Sequence, residues 1–174
     1  MPSNLSKASS TNRKLFWLWL VVAAVIIVAD QQSKAWVSTH FFDYERYNIW
    51  PFFDLTLMYN TGAAFSFLAG GSGWQKWFFI GVAAVATVLI LYWLHRNPNE
   101  KTFCLALSLI LGGAIGNVLD RLQHGHVVDF LLFYWKDAYF PAFNVADIAI
   151  TLGAFLLIAD EFRRLRKARL ARSK

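Results

Sequence analysis

Apolar positions along this chain gather into four runs, at 15–29, 77–94, 103–119 and 142–159. A helix needs about 20 apolar residues to cross a hydrocarbon core of ~30 Å, and each run stands near the lower limit. The first run continues past Asp30, Gln31, Gln32 and Lys34 toward Trp36, which makes it long enough to cross. The second closes on His95, Arg96 and the helix breaker Pro98. Between them, FFDLTLMYN (52–60) changes period: Asp54, Thr56 and Asn60 alternate with Phe53, Leu55, Leu57 and Tyr59. Period two predicts a half-buried strand. Asn60-Thr61-Gly62 supplies a turn, 63–68 a returning strand, and Gly70-Gly71-Ser72-Gly73 a flexible joint. The predicted fold class is an all-α integral membrane protein. It is a four-transmembrane-helix bundle with a small external β-strand platform in the first outer loop. One membrane domain covers 1–174, with spans at 15–36, 77–94, 103–121 and 142–161, outer loops at 37–76 and 122–141, and a basic tail at 162–174.

Composition supports that pattern, since 57% of the residues are apolar and only 16% charged, far from a soluble domain. Arg13 and Lys14 ahead of the first run resemble the start of a signal peptide, but no small-x-small cleavage site follows, which favours a retained span. The net charge of +6 brings nucleic acid to mind, yet seven basic residues crowd into the last twelve positions and no folded basic face is apparent. That placement suits a cytoplasmic anchor on an anionic leaflet and excludes a nucleic-acid partner. Twelve Lys and Arg fall in the two tails and the second connection, against five in the other two connections. Positive-inside therefore places both termini in the cytoplasm. The single Cys104 excludes an internal disulfide.

The polar residues within this apolar frame carry the candidate chemistry. Asp30 and Lys34 stand i, i+4 at the outer end of the first span, spaced for an ion pair or for contact with a substrate. In the third span Gly112 and Gly116 form G-x-x-x-G, a close-packing face. Asn117, Asp120 and Arg121 share one face beyond it; Asp120 reads as a structural clamp, Arg121 as a donor to loop carbonyls or to lipid ester and phosphate oxygens. Asn144 is placed to cap the fourth span, with Asp147 in its first turn, where the helix dipole favours an anion. An ionisable group facing a bundle at membrane depth is costly, which points to function for Asp147. Asp129 lies in HVVDFLLFYW, an apolar outer loop where desolvation raises a carboxyl pKa. Two carboxylates sharing one proton and one water hydrolyse amides without metal or cofactor. Rival chemistries are weaker. Gly70-Gly71-Ser72-Gly73 lacks a histidine within a span, and His124-x-His126-x-x-Asp129 is a sparse metal motif. A proton-coupled transporter would need acids near the midplane or an internal repeat.

Four stretches together resemble a known family: Asn60-Thr-Gly-Ala-Ala-Phe-Ser, Gly112-Gly-Ala-Ile-Gly-Asn-Val-Leu-Asp-Arg121, Val127-Val-Asp-Phe130 and Phe143-Asn-Val-Ala-Asp147. With Asp30 and Lys34 they look like the motifs of bacterial lipoprotein signal peptidase (signal peptidase II), in order over nearly the whole chain. The resemblance implies an intramembrane aspartyl endopeptidase of the bacterial cytoplasmic membrane. Such an enzyme removes signal peptides from prolipoproteins, N-terminal to a diacylglyceryl-modified cysteine. It implies catalytic roles for Asp129 and Asp147, and supporting roles for Asp30, Lys34, Asn60, Gly62, Asn117, Asp120, Arg121 and Asn144. It also implies no metal or cofactor, membrane lipids as partners, and inhibition by globomycin-type cyclic peptides. One departure is Tyr59, where members often carry His.

Overall fold

The computed structural model describes residues 3–62 and 73–172, with side chains for 12–62 and 73–171. The elements run α1 (Ser3–His40), β1 (Arg46–Trp50), β2 (Phe53–Asn60), α2 (Trp74–Arg96), α3 (Lys101–His124), β3 (Val127–Trp135), β4 (Ala138–Tyr139) and α4 (Val145–Arg172). Among the described residues, three helical stretches are long and apolar enough to cross a membrane: Asn12–His40, Trp74–Arg96 and Lys101–His124. In α4, Asp147 and Asp160 bound an apolar stretch of twelve residues, 148–159. At about 1.5 Å per residue that spans only ~18 Å, so its acids sit at its ends and within reach of an interface.

α3 is the hub, packed against all three other helices. Its lower half carries Cys104, Leu107 and Leu111, which form one core with Trp19, Ala23, Ile90 and Leu94. The Trp19 indole donates to Pro98 O at 2.9 Å, pinning α1 to the α2–α3 turn. Outward-facing residues are as apolar as the core: Val25, Val82, Val85, Val88 and Phe155 are all more than half exposed. Burial of such surface is worth about 25 cal/mol per Å², so lipid is the solvent that suits it. Glycines set how closely the helices approach. A Cβ on Gly112 would lie 2.7 Å from Ala23 O of α1, and one on Gly116 2.5 Å from Asp30 Oδ2. Gly113 faces Ala146 O of α4 just as tightly. The G-x-x-x-G face thus receives α1, and its middle glycine receives α4.

The strands correct the expected platform. A four-stranded antiparallel sheet runs β1-β2-β3-β4, so it draws on both outer loops and not only the first. The fold is therefore mixed α and β. HVVDFLLFYW read as a loop because its apolar residues do not alternate, but β3 is buried on both faces over Val127–Phe130, where alternation has no reason to appear. Val128 and Phe130 join Val37 of α1 and Leu57 of β2 in a second core. The expected partner strand at 63–68, with most of the glycine joint, lies outside the described residues. β2 instead pairs with β1 through Arg46↔Thr56 and Tyr47↔Leu55, and with β3 through Leu55↔Leu131 and Met58↔Asp129. Three steps on β2 face two on β3, a bulge that adds a residue and turns Thr56 and Leu57 both inward.

The helix ends follow local rules. α3 stops at Gly125, whose φ of 82° lets its N–H reach Arg121 O at 3.1 Å. α4 starts at Val145, three residues later than the expected span, because Asn144 caps it: Oδ1 accepts the Asp147 N–H at 2.9 Å. The basic segment continues α4 without a break to Arg172.

Candidate active site

Asn117, Asp120 and Arg121 occupy one face at the C-terminal end of α3, and all three are buried. α1 crosses that face with Asp30 and Lys34. The i, i+4 pair forms at 2.8 Å, but fully inside the protein, not on an exposed helix flank. Lys34 Nζ also reaches Asp120 Oδ2 at 2.9 Å and donates to Asn117 Oδ1 at 3.0 Å. An ammonium has three protons, so these three acceptors satisfy it completely. Asp30 uses its other oxygen to accept the Ala146 N–H of α4 at 2.9 Å. Asp120 Oδ2 accepts the Val128 N–H of β3 at 3.1 Å.

Those two grips deliver the remaining acids. Asp129 follows Val128 on β3, and Asp147 follows Ala146 in the first turn of α4. Asn144 ties them together, since its amide donates to Asp129 Oδ1 at 2.7 Å while its oxygen caps the Asp147 N–H. Asn117 Nδ2 donates to Asp147 Oδ1 at 2.8 Å, and Asn60 Nδ2 to Asp129 Oδ2 at 3.0 Å. Asn60 Oδ1 in turn accepts the Gly62 N–H at 2.9 Å, forming the turn read from Asn-Thr-Gly. Arg121 closes this corner: it donates to Gly62 O at 2.8 Å and to Asn117 O at 3.2 Å, with its guanidinium 4.9 Å from the Phe79 ring centroid. Its buried Nε has no acceptor among the described residues.

A cavity of about 480 Å³ opens onto both acids, lined by Asn60, Asn117, Arg121, Asp129 and Asp147. It runs from Phe140–Phe143 down α4 past Thr151 to Leu152, so one end is aromatic, the other mostly apolar, and the carboxyls lie between them. Burial pushes the Asp129 carboxyl up to about 7, and the charge of Asp147 adds to the rise. Hydrogen bonds from Asn60 and Asn144 and the charge of Lys34 act the other way and do not offset it. Asp129 therefore holds a proton to near neutrality. On Asp147, Oδ1 is occupied by Asn117, whereas Oδ2 has no hydrogen-bond donor among the described residues.

All ten residues singled out in the sequence converge on this network. His124 and His126 do not join Asp129. They line a separate cavity of about 550 Å³ with Lys34 and Asp120, and the His126 ring packs at a tilt of 56° against Tyr59, centroids 4.4 Å apart. Gln31 was missed: its Nε2 donates to Asp120 Oδ1 at 2.8 Å, and to Asp30 Oδ2 and Gly116 O at 3.2 Å. The available signal was its place beside Asp30 on an apolar helix, where an amide needs a partner.

The family model described as Signal peptidase (SPase) II matches residues 22–163. The chain belongs to the signal peptidase II family. A lipoprotein signal peptidase from Cupriavidus pinatubonensis is 51% identical over 162 residues, covering 93% of this chain and 91% of that protein. One from Paraburkholderia phymatum is 54% identical over 151 residues, covering 87% and 91%. A solved structure described as a bacterial membrane enzyme superposes with a TM-score of 0.75 at 29% identity, covering 84% of this chain and 88% of that one. The signal peptidase II match encloses every residue of the network, from Asp30 to Asp147.

Proposed function

We propose that this member of the signal peptidase II family is an intramembrane aspartyl endopeptidase of the bacterial inner membrane. It removes signal peptides from prolipoproteins by cutting on the N-terminal side of a diacylglyceryl-modified cysteine. The observation that supports this most is the placement of Asp129 and Asp147 on one cavity, each held by amides. Asp129 rests protonated and Asp147 ionised. Asp147 Oδ2 takes a proton from water, whose oxygen bonds to the scissile carbonyl carbon. The carbonyl electron pair moves to oxygen, which Asp129 protonates. The proton on Asp147 then passes to the amide nitrogen, the C–N bond breaks, and the new hydroxyl returns its proton to Asp129. The products are a carboxyl-terminated signal peptide and a free amine on the modified cysteine. No metal or cofactor enters this sequence.

The remaining residues support the pair. Arg121 Nε, buried and without an acceptor among the described residues, offers a donor to a substrate carbonyl or ester oxygen. The chain is one membrane domain crossing four times, with both termini cytoplasmic and the pair toward the outer face. The short apolar stretch of α4 supports a position for Asp147 close to that interface. A signal-peptide helix lies along the lower cavity while the acyl chains stay in lipid. Purified protein incubated with a diacylated model prolipoprotein should release the signal peptide, and globomycin should block that release. Absence of globomycin-sensitive cleavage would overturn the reading.

A further inference from the structure

Each candidate catalytic aspartate is preceded by a residue whose backbone N–H is gripped by a second buried acid. Asp30 holds Ala146, one residue before Asp147, and Asp120 holds Val128, one residue before Asp129. The distance between the two catalytic carboxyls is thus slaved to the distance between Asp30 and Asp120, on α1 and α3. Those acids repel one another, and the lysine between them has no proton left, because its third goes to Asn117. The second bridge is Gln31, whose amide nitrogen reaches Asp120 Oδ1 at 2.8 Å, Asp30 Oδ2 at 3.2 Å and the α3 carbonyl of Gly116 at 3.2 Å. A neutral donor suits this place. A second cation would draw Asp30 and Asp120 off their backbone N–H partners, and an acid would add a third negative charge to one ammonium.

We propose that Gln31 is a positioning residue for hydrolysis: by bridging Asp30 and Asp120 it sets the separation of Asp129 and Asp147. The inference rests on those two acids being the catalytic pair. Loss of the bridge lets Asp30 and Asp120 move apart, carrying Ala146 and Val128 with them. Two consequences follow. Reacting groups shifted by a fraction of an ångström to about 1 Å lose up to roughly 100-fold in rate. Two carboxyls set farther apart also couple less, so their titrations draw together. The other titratable and charged groups that face the pair are Asp30 and Lys34 of α1 and Asp120 and Arg121 of α3. Gln31 is half-buried beside the cavity of about 550 Å³, so a replacement of equal length meets open space and not packed core.

The test uses the full-length enzyme in lipid nanodiscs with a diacylated prolipoprotein, kcat and KM being measured from about pH 5 to 9. Gln31→Met keeps the length without the donor. Gln31→Asn keeps the donor on a shorter arm that cannot reach both acids. Asp129→Asn and Asp147→Asn are run beside them. We expect Gln31→Met to lower kcat roughly 10- to 100-fold, leave KM within about threefold, and draw the two limbs of the pH–kcat profile together. Gln31→Asn should do the same to a lesser degree, which keeps the test available if the Met variant folds poorly. A kcat within about twofold of the parent, or a lower kcat with both limbs unmoved, overturns the positioning role. If the two Asn variants at 129 and 147 keep their turnover, the catalytic reading itself fails. If they are inactive while both Gln31 variants match the parent, only this inference fails.

Discussion

Charge is concentrated at both ends of the α3–α4 pair, and the two clusters are built in opposite ways. At one end Arg164 of α4 bridges Glu100, ahead of α3, and Asp160 one turn back, with its guanidinium 5.6 Å from the Phe103 ring. The side chains of Arg164 and Glu100 remain 46% and 40% exposed. At the other end Asp30, Lys34 and Asp120 are at most 4% exposed at their side chains, and amides fill nearly every remaining position around them. Both clusters hold direct ion pairs, but the surroundings decide what the charges do. Unit charges 4 Å apart attract by about 1 kcal/mol in water and several-fold more where solvent is excluded. Burial makes the Asp30–Lys34–Asp120 cluster expensive to break. Exposure makes the other a modest latch.

The sharpest way to break this comparison is to neutralise the pair. Asp129→Asn and Asp147→Asn should each lower kcat for prolipoprotein cleavage by roughly 10³-fold or more. The thermal midpoint in detergent should hold or rise, because Asp147→Asn removes a buried negative charge and Asp129→Asn replaces a neutral carboxyl with a neutral group of the same shape. A variant that lost activity only by unfolding would show the acids to be structural, like Asp30 and Asp120.

Next in size is the frame. Lys34→Ala leaves Asp30 and Asp120 facing one another without their cation, and breaking a buried pair costs about 3–5 kcal/mol. Chemical denaturation in micelles should show that loss, with the pair-bearing β3 and the first turn of α4 gaining hydrogen exchange ahead of the helix interiors. A loss below about 1 kcal/mol would mean that solvent reaches the cluster and that the two ends of the bundle are alike.

How much of this was legible before folding depended on whether a residue's role was local. Asn144 and Asp147 sit three apart, so cap and first-turn acid could be read from spacing. Gly112 and Gly116 announced a packing face for the same reason, and the apolar runs announced the helices. β3 hid because burial on both faces erases alternation, and with it went the sheet that carries Asp129. β1, RYNIW, is exposed throughout and shows no burial pattern to read. Gln31 hid because its meaning lies in partners 85 and 89 residues away. The grips on Ala146 and Val128 hid more deeply still, since they use backbone N–H groups that every residue carries.

Proton affinity separates the ends more finely. With its carboxyl raised to about 7, Asp129 is neutral in the folded protein under conditions where the unfolded chain has already ionised. A raised carboxyl contributes stability that is fully present below the unfolded value near 4 and is lost as pH rises through about 7. Between about pH 6 and 8 the fold should lose roughly 1.4 kcal/mol from this group. Turnover should fall over the same window as the shared proton leaves. Asp129→Asn should flatten the stability curve there. A parent enzyme equally stable at both pH values would place Asp129 in a solvated setting.

The smallest effect is expected where the charges look most ordinary. Arg164→Ala removes contacts to Glu100, Asp160 and the Phe103 ring at once, more partners than Asp129 has acids. Yet each contact is made in solvent, where freeing two long side chains returns much of the entropy their pairing had cost. The net loss should be about 0.5 kcal/mol, and it should shrink further at high salt, whereas the penalty for Lys34→Ala should not, because mobile ions do not enter the buried frame. Measuring both variants at low and high salt therefore compares the ends directly. If the Arg164 variant proved as costly as the Lys34 variant, the latch would have to be shielded in the assembled membrane protein, and counting partners would have been a better guide than counting exposure.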